Sequence, residues 1–368
     1  MAGPFEFSYE YQNVKRDLTD VINLIVPYTP LLISLASTKT GVTQLTHEWH
    51  EDTLSPVADA LAEDLDNSET GVDVVDGTKF KAGMIVMVKG KKEQMKVTGI
   101  TGNTLTVTRG YGGTTAQTAL TGATLRIVSK PEPESTLPGD GSTWEPLTEY
   151  NYSQIYAKDA KVSKTSQLLQ VYGIGDALDR QVQQKLVELT WDMNAQLIYG
   201  RRVKRSGSEP GSSGGLLFYI SQAGGNVDDA SAAAISAALL NDMSEVVYKA
   251  GGQTTTLLMN ANQARKISAF NDSKLIVPQG TTTTGNYIAQ FLSDQGVLYN
   301  IVVDRDFPED SVAFLDTGRI NICPLRPYGD EDASPNGADF YARRILGEYT
   351  FEIRNSRQAF GLIENLAP

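Results

Sequence analysis

Between residues 176 and 199, Leu178, Val182, Leu186, Leu189, Met193 and Leu197 recur at spacings of four, four, three, four and four. Those intervals match the turn of an α-helix and put all six side chains on one face. Asp176 stands where an N-cap belongs, with Asp179 three residues on, and Gly200 is expected to stop the helix in a left-handed conformation. The basic run Arg201, Arg202, Lys204, Arg205 follows, beside the negative end of the helix dipole. A stripe of this length needs a broad apolar partner, and the flanking chain reads as strands. The expectation is an α+β protein with this helix as the backbone of its main domain.

Residues 1–39 read as an arm. Phe5, Phe7, Tyr9 and Tyr11 alternate, and Leu18, Val21, Ile22 and Ile25 follow at helical spacing until Pro27 and Pro30 end the pattern. A terminal segment this aromatic needs a surface beyond itself, and docking on a neighbouring subunit is favoured over folding back. Residues 40–52 read as a strand with Leu45, His47 and Trp49 on one face. Residues 150–169 form its expected return strand, in which Tyr150, Tyr152 and Tyr156 alternate. Between them lie five short β-rich runs at 72–75, 84–88, 94–100, 104–108 and 124–128, separated by glycine-containing turns. That spacing predicts a small β-barrel or sandwich spliced into the tip of a hairpin, with a stiff linker at Pro131, Pro133 and Pro138.

Past a Gly/Ser-rich loop at 206–215, residues 229–250 read as a second amphipathic helix stopped by Gly251-Gly252. A strand at 254–259, a helix at 261–270, a short helix near 287–292 and strands at 298–304, 312–315 and 319–322 follow. Near the end, Ile345, Gly347, Tyr349, Phe351 and Ile353 share one face of a strand, and Arg344, Glu348, Thr350, Glu352 and Arg354 lie mostly on the other. Residues 358–366 are its expected partner strand.

A net charge of -12 argues against a sequence-independent nucleic-acid binder, although not against a protein that lives beside nucleic acid while mostly repelling it. Cys323 is the only cysteine, so no intrachain disulfide can form. No signal-peptide pattern opens the chain, and the longest apolar run, 22–35, is broken by two prolines; a soluble protein of a reducing compartment is expected. His47 and His50 are the only histidines, and strand alternation points them to opposite faces, so no metal site is assigned. Gly211-Ser212-Ser213-Gly214-Gly215 matches a nucleophile-elbow pattern, but no histidine follows residue 50, and the stretch reads as a flexible loop. Gly173-Ile174-Gly175 lacks the third glycine of a dinucleotide fingerprint and reads as a sharp turn. Asp330, Glu331 and Asp332 lack calcium-loop spacing and read as a solvated hairpin tip. No catalytic, cofactor-binding or metal-binding residue is assigned. The candidate residues are intersubunit contacts: Phe5, Phe7, Tyr9, Tyr11, Trp49, Tyr150, Tyr152, Arg201 and Arg202.

Four segments taken in order resemble the tailed-bacteriophage major capsid (major head) proteins of the Hong Kong 97-type fold, in the group of the podovirus-like SU-ten major head protein. The first is VKRDLTDVINLIVPYTPLLISLASTKTGVTQLTHEWHEDTL, carried by Arg16, Asp17, Leu18, Ile22, Pro27, Pro30, Glu48, Trp49 and Asp52. The others are the return strand with the long helix, LLMNANQARKISAF, and the tail LRPYGDEDASPNGADFYARRILGEYTFEIRNSRQAFGLIENL. The resemblance implies an N-terminal arm (1–39), extended-loop strands (40–68 and 146–169), and a peripheral domain (170–252) with spine helix 176–199. It further implies an axial domain (253–325) and closing peripheral strands (326–368), leaving 69–145 as an insertion domain plus linker. It implies a structural protein rather than an enzyme, self-assembling as hexamers and pentamers into an icosahedral head around double-stranded DNA held without sequence specificity. Portal and scaffolding or decoration proteins are the further partners implied. No cofactor or membrane is implied, and the location is the virion capsid, assembled in the host bacterial cytoplasm. The alternatives are an encapsulin-like nanocompartment shell enclosing cargo protein and, well behind, a hydrolase using Ser213. On this reading the insertion bridges adjacent capsomers, and Trp49→Ala impairs shell formation more than protomer folding.

Overall fold

The computed structural model describes residues 30–39, 41–52, 57–132, 134, 146–169, 176–269, 275–276 and 290–367. Phe5, Phe7, Tyr9 and Tyr11, the arm helix and the turn at 173–175 lie outside the described residues. The chain divides into two compact units, one drawn from residues up to Trp49 and from Thr148 onward, the other His50–Leu147.

In the first unit the long helix runs Ala177–Tyr199, and the Asp176 carboxylate accepts from the Leu178 and Asp179 N–H groups as an N-cap should. Only its second half is deeply covered: Leu189, Met193, Leu197 and Ile198 are buried, whereas Leu186 is 41% exposed. It packs on a four-stranded sheet ordered Ser37–Thr38, Ile320–Asp332, Phe340–Ile353, Gln154–Ser163. Tyr349, Phe351 and Ile353 join the helix in the core of this layer. Gly200 corrects the expected left-handed stop, since its φ is -50° and ψ 140°. Its role is close approach: a Cβ there would lie 2.4 Å from both the Gln196 and Ser213 carbonyl oxygens. Gly200→Ala is therefore expected to cost about 2–3 kcal/mol in denaturant unfolding, as other overpacked sites do; an unchanged midpoint would mean the turn relaxes freely.

A seven-stranded sheet forms the second layer, ordered Asn226–Asp229, Gly361–Glu364, Val312–Leu315, Thr256–Met259, Leu298–Val303, Gln290–Leu292, Leu275–Ile276. Helices Ala237–Ala250 and Ala261–Ser268 contribute Leu240, Met243, Val247 and Ile267 to the core it shares with Leu257, Met259 and Phe314. Three expectations fail here. The second helix starts at Ala237, capped by the Ser236 hydroxyl, and 226–229 is a strand. Residues 290–292 are strand rather than helix. Gly361–Glu364 pairs with Val312–Leu315 and Asn226–Asp229, not with Phe340–Ile353, from which the short helix Ser356–Ala359 separates it.

The second unit is an antiparallel sheet ordered Ala58–Ala60, Thr124–Ser129, Ile85–Val88, Met95–Thr101, Thr104–Thr108, Gly71–Asp73. It is not a closed barrel: its edges meet at a single bridge, Leu61 with Val74. Val86, Met95, Val97, Leu105 and Leu125 fill its core. The Arg109 guanidinium is its internal strut. It binds both Glu93 oxygens at 2.7 and 2.8 Å and the carbonyls of Asp66, Glu69 and Gln117. Burial raises the Glu93 carboxyl, but Arg109 and the Gln117 and Gly110 amides more than offset that and hold it below its ordinary value.

Candidate functional site

Strand Thr46–Glu51 and strand Leu147–Tyr152 form a two-stranded sheet. Alternation turns Trp49 inward, where it is 6% exposed and packs 5.7 Å from the Tyr219 ring and 5.9 Å from the His47 ring. Tyr219 lies on the short helix Leu216–Ile220, and its hydroxyl donates to the Tyr150 carbonyl at 2.6 Å. Burial pushes the Tyr219 phenol well up, so it stays a neutral donor.

Arg202 completes this cluster. Its guanidinium carbon sits 3.8 Å from the centroid of the Tyr150 ring, and its Nη1 donates to the Tyr150 carbonyl at 2.9 Å. Glu149, 7% exposed, lies 3.6 Å from Arg202 and is also bound by Arg357. Tyr150 and Tyr152 meet edge-on at 5.5 Å, and Arg201 stands 6.0 Å from Phe218. Five candidate residues, Trp49, Tyr150, Tyr152, Arg201 and Arg202, thus fall around one aromatic–arginine cluster. Trp49 is inside it, and Arg201 is on the exposed side.

Asn151, fully buried, fixes the floor of the cluster. Its Nδ2 donates to the Gly214 and Phe351 carbonyls, and its Oδ1 accepts from the Gly214 N–H at 2.8 Å. The Gly211–Gly215 stretch is therefore packed rather than a flexible loop. Ser213 is 0% exposed, its N–H donates to Gln154 Oε1, and its carbonyl accepts from Gln196 Nε2. Its Oγ is buried and has no hydrogen-bond partner among the described residues.

Two carboxylates on strand Phe340–Ile353 gather the surrounding cations. Glu348 accepts from Ser153 Oγ at 2.7 Å and Arg205 Nη2 at 2.9 Å. Glu352, 1% exposed, binds Lys39 Nζ and His47 Nε2, each at 2.9 Å, and also Arg354 Nε. Burial raises its carboxyl, but the His47, Lys39 and Arg354 bonds outweigh that and hold it at about 2. Cys323 Sγ lies 3.7 Å away, its thiol pushed up to about 12 by burial and by the Glu352 charge. His47, Cys323 and Glu352 form a nitrogen–sulfur–oxygen set within 4.8 Å, which the sequence reading did not foresee. Lys39 and Arg354 already neutralise the carboxylate there, so the group works as an ion-pair clamp. It ties the segment at 39–47 to the four-stranded sheet. Asp330, Glu331 and Asp332 correct the expected hairpin tip, since they lie within strand Ile320–Asp332 and pair with Ile345, Arg344 and Arg343, and the Asp330 carboxylate binds Arg343 at 2.7 Å.

Among the described residues no helix is long and apolar enough to cross a membrane. The fold defines the class. The capsid of an empty GTA particle matches with a TM-score of 0.56 at 14% identity, covering 96% of each chain. The chain from Mycobacterium phage Cain matches with 0.52 at 12%, covering 95% of each. The capsid asymmetric unit of cyanophage A-1(L) matches with 0.53 at 11%, covering 96% of this chain and 98% of that one. This is the phage capsid fold of the Hong Kong 97 type. No curated protein matches the chain. The family model described as SU10 major capsid protein matches residues 4–367, and the chain belongs to that family: it is a major capsid protein of a tailed phage.

Proposed function

We propose that this chain associates as hexamers and pentamers that close into an icosahedral head around double-stranded DNA, and that it catalyses no reaction. The observation that carries the reading is the family match across residues 4–367. Within it, residues 1–39 act as an arm toward neighbours, 40–68 with 146–169 as the extended loop, and 176–199 as the spine helix. Residues 170–252 and 326–368 supply the peripheral domain, and 253–325 the axial domain. The unit His50–Leu147 contains the insertion, which bridges adjacent capsomers. The net charge of -12 suits an inner wall that does not hold its genome by adhesion. Portal and scaffolding or decoration proteins complete assembly in the host bacterial cytoplasm. The aromatic–arginine cluster stiffens the base of the extended loop, and Arg201, Tyr150 and Tyr152 offer the contact surface there.

Electron microscopy of the overexpressed chain, alone and with portal and scaffold, is the test. Regular shells that package DNA support the reading. Shells that copurify with a cargo protein and no nucleic acid would replace it with a nanocompartment. A persistent monomer under both conditions would overturn it.

A further inference from the structure

Strand register brings Cys323 and Glu352 together. Ile320–Asp332 pairs with Phe340–Ile353 so that Asn321 stands opposite Glu352 and Cys323 opposite Thr350. Cys323 and Glu352 are therefore diagonal neighbours on one face of the sheet. His47 reaches the same point from strand Thr46–Glu51. The two Glu352 oxygens keep different company. Oε1 accepts from Lys39 Nζ at 2.9 Å and from Arg354 Nε. Oε2 meets His47 Nε2 at 2.9 Å and Cys323 Sγ at 3.7 Å, with Lys39 Nζ a further contact at 3.1 Å. The nitrogen, sulfur and oxygen all lie within 4.8 Å of one another. A tetrahedral ion bound at about 2.0–2.3 Å sets such donors about 3.3–3.6 Å apart, so shifts within side-chain reach bring all three onto one ion.

Access and charge both suit a metal. A cavity of about 360 Å³ opens over the triad beside Lys39 and residues 41–44. It gives an ion a path in and room for a water as fourth ligand. A coordinated thiol gives up its proton, here to solvent, so the Cys323 thiolate and the Glu352 carboxylate together neutralise a divalent cation. Lys39 is 34% exposed and can turn to solvent. Its charge and the thiol proton are then exchanged for the two charges of the ion, and the local charge is unchanged. Arg354 stays on Oε1 as an outer-shell partner. Thiolate and imidazole donors select zinc-like ions over magnesium or calcium.

We propose that His47, Cys323 and Glu352 form a binding site for a single thiophilic divalent cation of the zinc class, with water as the fourth ligand. Lys39 and the ion compete for the same carboxylate. The group is thus either the ion-pair clamp described above or a metal centre that fastens the same three strands. The inference goes beyond the proposed function and does not depend on it, because all three donors belong to one compact unit of one chain.

Titration of the folded, tag-free full chain with Co²⁺ tests it. Cys323 is the only cysteine, so a near-ultraviolet thiolate-to-cobalt charge-transfer band can come from this site alone. The band is expected to saturate at one equivalent, to be bleached by Zn²⁺ and to persist in excess Mg²⁺. No band at saturating Co²⁺ overturns the inference, and so does displacement by Mg²⁺. Cys323→Ser should weaken Zn²⁺ binding, read by calorimetry, by at least about tenfold, the loss that even an outer-shell partner causes. Lys39→Met should tighten it about tenfold by removing the competing ammonium, a gain that no purely structural role predicts. Undiminished binding in a folded Cys323→Ser chain, or no gain in a folded Lys39→Met chain, overturns the site. If either variant misfolds, the cobalt band of the wild type decides. Failure to form shells bears only on the capsid reading, and a missing cobalt band only on this site.

Discussion

Trp49→Ala is expected to lower the unfolding free energy of the isolated protomer by about 3–5 kcal/mol, the cost of removing a large aromatic from a packed core. The ring is 6% exposed and shares its core with Leu189, Met193, Tyr219 and Phe351. Tyr219 would lose the neighbour 5.7 Å away that holds it over Tyr150, and Arg202 would lose definition with it. This burial changes what the sequence alone leads one to expect, namely a ring that acts between subunits and spares protomer folding. Urea unfolding followed by circular dichroism is the measurement, and Trp49→Phe should recover roughly half of the loss. An unchanged midpoint in a chain that no longer forms shells would instead place the ring at an interface.

Features specified by neighbouring residues were legible. The Asp176 cap and the apolar stripe fix the long helix locally, and turns bracket the runs that become Thr104–Thr108 and Val312–Leu315. Features specified by distant partners were not. Ala58–Ala60 is too short to alternate, and Asn226–Asp229 becomes a strand only beside Gly361–Glu364. Alternation assigned Glu348 and Glu352 to a polar face, whereas both are buried. Their partners come from Arg205, Lys39 and His47, residues that no local pattern links to the last strand. The candidate cluster shows the same division. Trp49, Tyr150, Tyr152, Arg201 and Arg202 stand out as aromatic and basic residues, but Asn151 and Glu149 carry no such signal and are recognisable only by what they bind. Gly200 and Gly211–Gly215 look like permissive backbone in the sequence; in the fold, Gly200 marks a place where two carbonyls come too close for a side chain.

Glu352→Gln is expected to cost about 3 kcal/mol at neutral pH, and the size of the loss should depend on acidity in a defined direction. The carboxyl titrates at about 2 in the folded protein against an ordinary value of 4.5. A depressed carboxyl contributes its stability in full above the unfolded value and loses it as pH falls through the folded one. The difference corresponds to about 3 kcal/mol, trimmed by solvent because Lys39 and Arg354 are partly exposed. Removing the charge leaves Lys39, His47 and Arg354 converging on a neutral amide in a site that is 1% exposed. Unfolding free energies of wild type and variant should therefore differ by about 3 kcal/mol at pH 7 and converge as pH falls from 5 toward 2. A gap that stays constant over that range would mean the carboxylate is not held ionised by its three partners. A gap that closes identifies the clamp as the element that fastens residues 39–47 to the last long strand. Acid should then loosen that attachment before it unfolds the second layer, whose core is built on apolar side chains such as Leu257, Met259 and Phe314.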